Sequence, residues 1–443
     1  MSRHFLWTDQ CFLTVLMIGV ALLIRSLRKE QSRRAFLSIF SKPIATSAAI
    51  TLLFFLVIGV LDSIHLTTKM STGSLLDNML APLGDEYEKT YSAPLALTLY
   101  ASETLFVQGH AEQVYPHLEY PPTSIKNHDD KVRLISRVMI KALLMGLSVA
   151  TFAWVGLLIY RRLVYGSFYF SLRSSGISAF ITLFIGVVIV AGSYWLSRYL
   201  HIFGTGKIGQ DIFYYAVKSI RTGLVIGILT TLFMMPLALL LGIAAGYFGG
   251  VIDDIIQYIY TTLSSTPGVL LITASVLSMQ TYIANHPQQF TTLAENADAR
   301  LLALCFILGI TSWTSLCRLL RAEALKLREI DYVLAAKALG SSSFKIIYKH
   351  LLPNVMHIVV ITLVLDFSFL VLAEAVLSYV GVGVSPMTIS WGNMINAARL
   401  ELAREPIVWW PVLAAFVFMF MLVLASNLFA DAVRDAFDPH HVK

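Results

Sequence analysis

The chain has 443 residues, of which 57% are hydrophobic and only 14% charged, with a mean hydropathy of +0.71. Soluble domains carry nearer a quarter charged residues, so this composition excludes a soluble globular protein and points to an all-α polytopic membrane protein. The net charge of +6 reports loops kept on the cytoplasmic side, because Lys and Arg resist translocation; it is not a footprint of nucleic-acid binding.

A span needs about twenty apolar residues, and about nine such stretches follow one another. The first, residues 6–24, is followed by Arg25, Arg28, Lys29, Arg33, Arg34 and Lys42 rather than by a small-residue cleavage site. That predicts a retained span with the N-terminus outside. The second covers residues 44–61. Residues 62–137 then form an extracytoplasmic segment, acidic until Asp130 and bearing Pro82, Pro94, Pro116, Pro121 and Pro122. It has one apolar helical stretch, residues 94–107, and a small folded cap and a loosely ordered loop both fit it. Its histidines, His65, His110, His117 and His128, are dispersed, so no metal site is assigned. The third span, residues 138–160, closes on Arg161, Arg162 and Arg173, although Lys131, Arg133, Arg137 and Lys141 crowd its other end. The fourth covers residues 177–196. The fifth, residues 224–245, ends at Gly246-Tyr247-Phe248-Gly249-Gly250, whose glycines allow a tight turn. The sixth, residues 259–279, contains Pro267; a kink there suits a helix lining a pathway. A polar loop, residues 280–299, leads to the seventh span, residues 301–317.

Residues 318–353 are polar, basic and helix-prone. Arg318, Arg321, Lys326, Arg328, Lys337, Lys345 and Lys349 outnumber Glu323, Glu329 and Asp331, which predicts a cytoplasmic loop. Tyr332, Ala335, Ala336 and Leu339 share one helical face, with Asp331 and Lys337 directed elsewhere. Gly340 stops that helix. Ser341, Ser342 and Ser343 offer caps for a second short helix through Phe344, Ile347 and Leu351, ending before Pro353. Such a helix–glycine–helix is either a docking element or an ordinary solvated loop. The eighth span, residues 355–380, buries Asp366 and Glu374. Ionisable groups in a membrane are costly, so each has a packing, pathway or gating role; eight residues apart, they do not make a catalytic pair. Residues 385–406 predict an interfacial helix, and residues 407–429 the ninth span, before a cytoplasmic tail with Asp431, Arg434 and Asp435. Cys11, Cys305 and Cys317 lie in apolar stretches and read as buried thiols. No P-loop, HExxH, paired CxxC or GxSxG stands out. No catalytic residue, metal ligand or resident cofactor is therefore assigned.

Several of these residues also carry a resemblance. Ala335-Ala336, Gly340 and Leu352-Pro353 look like the EAA loop of ABC-importer permeases. Around them stand His201 with Gly204-Thr205, Gly246 to Gly250, Glu374 in LAEAVLSYVGVG, Ser390-Trp391-Gly392-Asn393-Met394, and Asp435 with Asp438-Pro439. In this order, over residues 201–439, they resemble the dipeptide/oligopeptide/nickel permease family. Leu334 stands where that family usually has glutamate. Gly206 and Gln210 stand where it has aspartate and arginine.

The resemblance implies a type I ABC-importer core of six transmembrane helices, residues 176–443, with a coupling loop at 318–353. Residues 1–175 are then an N-terminal extension of about three spans. It implies ATPase coupling through Asp331, Ala335, Ala336, Lys337, Gly340 and Pro353, with Pro267, Asp366 and Glu374 as pathway or gating candidates. The implied partners are a homologous second permease, two ABC ATPase subunits that bind ATP and Mg, an extracytoplasmic solute-binding protein and the lipid bilayer of the bacterial inner membrane. The implied cargo is peptides or similar small solutes. Import of nickel or another non-peptide solute, a membrane scaffold or sensor, and an intramembrane enzyme using Asp366 and Glu374 remain alternatives.

Overall fold

The computed structural model describes residues 6–28, 30–68, 71–85, 87–107, 110–120, 125, 127–165, 174–286, 288 and 292–437. Lys29, Pro121, Pro122, Arg173, Asp438 and Pro439, used in the sequence reading, lie outside them. The helices are α1 (Trp7–Leu27), α2 (Glu30–Ile39), α3 (Pro43–Ser63), α4 (Leu75–Met79), α5 (Ala81–Asp85), α6 (His128–Tyr165), α7 (Ser174–Leu196), α8 (Ile212–Phe248), α9 (Gly250–Ser265), α10 (Gly268–Asn285), α11 (Leu293–Arg328), α12 (Asp331–Ala338), α13 (Ser343–Ile346), α14 (Leu352–Val380), α15 (Trp391–Ala398) and α16 (Trp410–Phe437). Four short strands, β1 (His65–Thr68), β2 (Ser71–Ser74), β3 (Glu103–Val107) and β4 (His110–Val114), form two antiparallel hairpins. Among the described residues, nine helical runs are long and apolar enough to cross a membrane, one of them the continuous stretch Ser343–Val380.

The sixth predicted span is corrected. Residues 259–279 are not one kinked helix: α9 ends at Ser265, and Pro267 is the N-cap of α10. The proline cannot donate within a helix, and here it begins one. Helix α9 has 16 residues, too few to span, while α10 counts among the nine.

The chain forms two compact units. The first comprises the described residues within 37–221 and 389–428. In it α3, α6 and α7 pack together. Small residues let the helices approach closely, as is usual without a hydrophobic driving force between spans: a Cβ on Gly186 would lie 2.3 Å from the Phe54 ring. Polar side chains inside this bundle satisfy one another. Ser178 Oγ donates to Pro43 O at 2.8 Å and lies 2.6 Å from Ser47 Oγ, which accepts from Thr182 Oγ1 at 2.8 Å.

The extracytoplasmic stretch of the sequence reading is folded. Its two hairpins flank α4 and α5, and Ser74 and Asp77 close a reciprocal capping box at α4.

The second unit comprises the described residues within 6–36, 222–388 and 429–437. Helix α11 is its axis and contacts α1, α9, α10, α12 and α14. Thr8 N and Oγ1 both donate to the Asp298 carboxylate, tying α1 to α11. A buried cluster runs from Met234 and Trp313 through Leu316, Leu320, Ala324 and Leu327 to Val333, Ile346, Leu351 and Val355.

Candidate functional site: the α12–Gly340–α13 elbow

Helix α12 ends in a Schellman motif. Gly340 N donates to Lys337 O and Ser341 N to Ala336 O, both at 3.0 Å, with Gly340 at φ +76°. Ser342 then caps α13 with extended backbone, without a side-chain bond. The second short helix is corrected. It does not stop before Pro353 but continues through a π-helical turn, Ile347–Leu351, into α14, whose first turn holds Pro353. The wide turn lets Leu352 N reach back to Ile347 O, and this local widening lies where Pro353, which has no N–H to donate, enters the continuous helix.

Val333 is the buried anchor of α12, with Ala336 half-buried, while Tyr332 and Ala335 are exposed and Leu339 is 85% exposed. Ile346 and Leu351 anchor the other arm at 0% exposure. Asn354 Nδ2 donates to Tyr332 Oη at 2.9 Å and bridges the arms. With those anchors inward, Leu339, Phe344 (79% exposed) and Tyr348 remain outside, the last two with stacked rings. Asp331, Lys337, Lys345 and Lys349 are exposed too. The elbow is thus a rigid, internally pinned projection with an apolar tip set among charges.

Sequence reasoning missed the brace beside it. Arg321 grips Asp253 of α9 through two bonds, Nε–Oδ1 at 2.5 Å and Nη2–Oδ2 at 2.7 Å. These bonds hold the Asp253 carboxyl below its ordinary range against the opposing effect of burial. Arg318 Nη2 donates to Ser264 Oγ at 2.6 Å and its guanidinium lies over the Tyr260 ring. The signal was available: Asp253, Asp254 and Gln257 interrupt the apolar run after Gly250.

The gating candidates are not brought together with the elbow residues. Glu374 is buried and accepts from Ser378 Oγ at 2.7 Å one turn on. Asp366 is half-buried and makes no hydrogen bond or ion pair among the described residues. No group of three or more His, Cys, Asp or Glu gathers to hold a metal ion among the described residues.

The motifs of residues 201–211 and 390–394 are each tied into the first unit by a buried indole. Trp391 Nε1 donates to Ala216 O, and Trp410 Nε1 to Thr205 O, both at 3.0 Å. Asp211 caps α8 by accepting from Tyr214 N at 2.8 Å. His201 Nδ1 lies 2.5 Å from Asp211 Oδ2, and its Nε2 3.7 Å from Glu88 Oε1. Burial disfavours the imidazolium, but the two carboxylates outweigh it and raise the His201 pKa to about 9. Glu88 also accepts from Tyr120 N at 2.8 Å and Glu119 N at 3.1 Å. Ser92 N donates to Thr205 Oγ1 at 2.7 Å. Burial likewise opposes the Asp77 carboxylate, and Lys218 Nζ at 2.5 Å more than offsets it, holding its pKa below the ordinary value. The hairpin segment is therefore joined to the 201–211 loop by buried polar contacts that neither stretch announces alone.

Residues 238–442, which include the whole elbow, match the family model for the binding-protein-dependent transport system inner membrane component. The glutathione transport system permease protein GsiD of Pectobacterium atrosepticum is 31% identical over 240 residues, covering 54% of this chain and 72% of that protein. The chain belongs to this permease family. The dipeptide transport system permease protein DppC of Lactococcus lactis is 31% identical over 239 residues, and the match spans 64% of its length. The oligopeptide transport system permease protein OppC of Bacillus subtilis is 27% identical over 239 residues, 72% of its length. In each case 54% of this chain is covered. This permease is a multi-pass integral membrane protein, and the elbow lies within its family-matched half.

Proposed function

We propose that this permease is one transmembrane subunit of an ATP-driven ABC importer for peptides or similar small solutes. It forms half of the translocation pathway with a homologous second permease, receives solute from an extracytoplasmic binding protein, and is driven by two separate ATPase subunits that bind ATP and Mg. Residues 176–443 are its transport core and residues 1–175 an extension. The N-terminus is extracytoplasmic and the C-terminus cytoplasmic. The peptide, glutathione and oligopeptide systems named for its relatives support this class of cargo.

One observation carries the coupling role: Leu339 and Phe344 are almost fully exposed on an elbow whose Val333, Ile346 and Leu351 are buried. Large apolar groups at the tip of a rigid element suit a partner surface. Gly340 sets the angle between the arms, Ala335 and Ala336 let a groove approach closely, Pro353 sits where the elbow joins α14, and Asp331 and Lys337 offer polar contacts. Motion of the ATPases reaches the pathway because this lever has different contacts in two states. Pro267, where α9 and α10 break, and Asp366 and Glu374 on α14 are the positions through which a pathway would respond.

The test is affinity co-purification of the detergent-solubilised chain beside Gly340→Trp and Ala335→Glu. Wild type should bring an ATPase pair and a second permease, and the variants should lose the ATPases or uncouple transport from hydrolysis. A stable wild-type chain that brings no ATPase sinks the proposal and favours a scaffold.

A further inference from the structure

The basic residues at the His128 end of α6 take no part in the transport core. Helix α6 has 38 residues and is about 57 Å long at 1.5 Å per residue, nearly twice the roughly 30 Å of a bilayer's hydrocarbon. The rise from Lys141 to Arg161 is about 30 Å and matches that thickness. Lys141 therefore marks one edge of the hydrocarbon. Arg137, about 6 Å farther out, lies in the headgroup layer, and Arg133, about 12 Å out, borders it from the water side. Helix α7 gives the same level independently. A Cβ on Gly192 would lie 3.5 Å from Ala142 Cβ, and one on Gly146 would lie 2.5 Å from Val188. The two helices thus run antiparallel, and Tyr194 and Trp195 stand level with the turn between Arg137 and Lys141. Such amphipathic rings collect at the membrane–water interface.

Arg133, Arg137 and Lys141 recur every four residues and are all exposed, beside the buried row Val138, Ala142 and Gly146. None of the three makes a side-chain hydrogen bond or an ion pair among the described residues. Asp129 and Asp130, in the first turn of α6, lie farther out and pair with none of them. Helix α7 brings no acidic residue, and Arg198 just past it adds a fourth cation at the same end, exposed and held over the Tyr194 ring. Like charges four residues apart on a helix repel, and in the proposed orientation they occupy the side from which Lys and Arg are usually depleted. Below them, toward the membrane centre, the exposed side chains on the same strip are apolar: Ile140, Leu144 and Leu147. Cations at headgroup level above an apolar strip complement a phosphate that carries acyl chains.

We infer that Arg133, Arg137 and Lys141 bind the headgroup phosphate of an anionic phospholipid, whose acyl chains lie along Ile140, Leu144 and Leu147. The N-terminal extension thereby presents a lipid-binding face. An acidic soluble protein fits less well, because Lys141 lies at the hydrocarbon edge, where the surface of such a partner does not reach.

The experiment is native mass spectrometry of the full chain in detergent, with phosphatidylglycerol and phosphatidylcholine added in equal amounts. Both lipids carry a phosphate and two acyl chains, and only the first has a net charge. Each cation beside an anionic headgroup is worth about fivefold in affinity. Wild type should therefore retain phosphatidylglycerol about tenfold or more over phosphatidylcholine, at a site that Arg133→Gln, Arg137→Gln and Lys141→Gln together remove. The bases of the elbow are the same in both chains and supply the same background. Exposed substitutions leave the fold intact, which equal unfolding midpoints in detergent alone verify. Replacing both arginines by lysine should keep the preference, because charge rather than fork geometry sets it. Phosphatidylglycerol should also raise the unfolding midpoint of wild type more than that of the triple glutamine variant. Equal retention of both lipids by wild type overturns the site, and so does an undiminished preference in the triple variant. Loss of a captured acidic protein by that variant, with lipid retention unaltered, assigns the stripe to a protein partner instead.

Discussion

Gly340 and Gly209 have nearly the same backbone conformation, φ +76° and +77°, yet their surroundings are opposite. A methyl group added to Gly340 would meet nothing within 4 Å, whereas at Gly209 it would lie 1.7 Å from Glu88 O. The elbow and the 201–211 loop thus use the same local device for different ends. The loop is packed from within the chain at its two left-handed glycines, with Gly204 pressed against Ser92 O as Gly209 is against Glu88 O. The elbow is anchored on one side only and leaves its largest apolar groups uncovered. A backbone that could accept a side chain but carries none, next to exposed Leu339 and Phe344, is a surface shaped for something outside the chain.

The sharpest way to break this contrast is to substitute both glycines. Gly209→Ala should destabilise the chain by more than about 4 kcal/mol, a loss reserved for displaced backbone or core. Gly340→Ala should cost only the left-handed strain of about 1–2 kcal/mol. Thermal unfolding in detergent, followed by tryptophan fluorescence, measures both; equal losses end the comparison.

A second expectation concerns pH. The His201 pKa of about 9 lies above the unfolded value of about 6.5. Its stabilisation is therefore complete below pH 6.5 and is lost as pH rises through about 9. The loss is on the order of 3 kcal/mol. Unfolding midpoints measured from pH 6 to pH 10 should fall in wild type and flatten in His201→Gln. A flat wild-type profile removes His201 from the joint between hairpin segment and loop.

A third expectation is smaller. Asp77 and Lys218 should show a coupling of about 1–2 kcal/mol in a double-mutant cycle with Asp77→Asn and Lys218→Met; simple additivity would leave this link with no share in joining the hairpin segment to α8. The smallest effect on stability belongs to the elbow tip. Leu339→Glu and Phe344→Glu should stay within about 0.5 kcal/mol of wild type while losing the ATPase in pull-down. If either variant unfolds the chain, the tip is core rather than docking surface.

Much of the fold was legible because lipid demands long apolar helices, and length and apolarity are directly visible. Eight of the nine predicted spans fall on membrane-length helices, most of them longer than predicted, the eighth merging with the arm of the elbow. The sixth, residues 259–279, failed because a proline inside an apolar run reads equally as a kink or as a start. Pro267 is a start, and the acidic opening of α9 was the overlooked sign. The elbow's turn at Gly340 was readable from local chemistry, but its buried side was not. Tyr332, Ala335, Ala336 and Leu339 are a valid helical stripe, yet which stripe turns inward is decided by Leu327 and Ala324 of α11. Residues 94–107 read as a helical stretch, yet Glu103–Val107 is β3, because strands of four or five residues show too little alternation to stand out. The union of Ser92 with Thr205 spans 113 residues, and no local pattern encodes a partner so far away.

The bond between Thr8 and Asp298 spans 290 residues, and this has a consequence for biogenesis. At about 5–20 residues per second, a ribosome reaches Asp298 roughly 15–60 s after Thr8 has been made. During that interval α1 resides in the bilayer without the neighbour that receives its polar end, and its Thr8 and Asp9, both fully buried in the finished protein, must be sheltered by water, lipid headgroups or the insertion machinery. Release from that machinery is thereby timed by the last third of the chain rather than by the first helix.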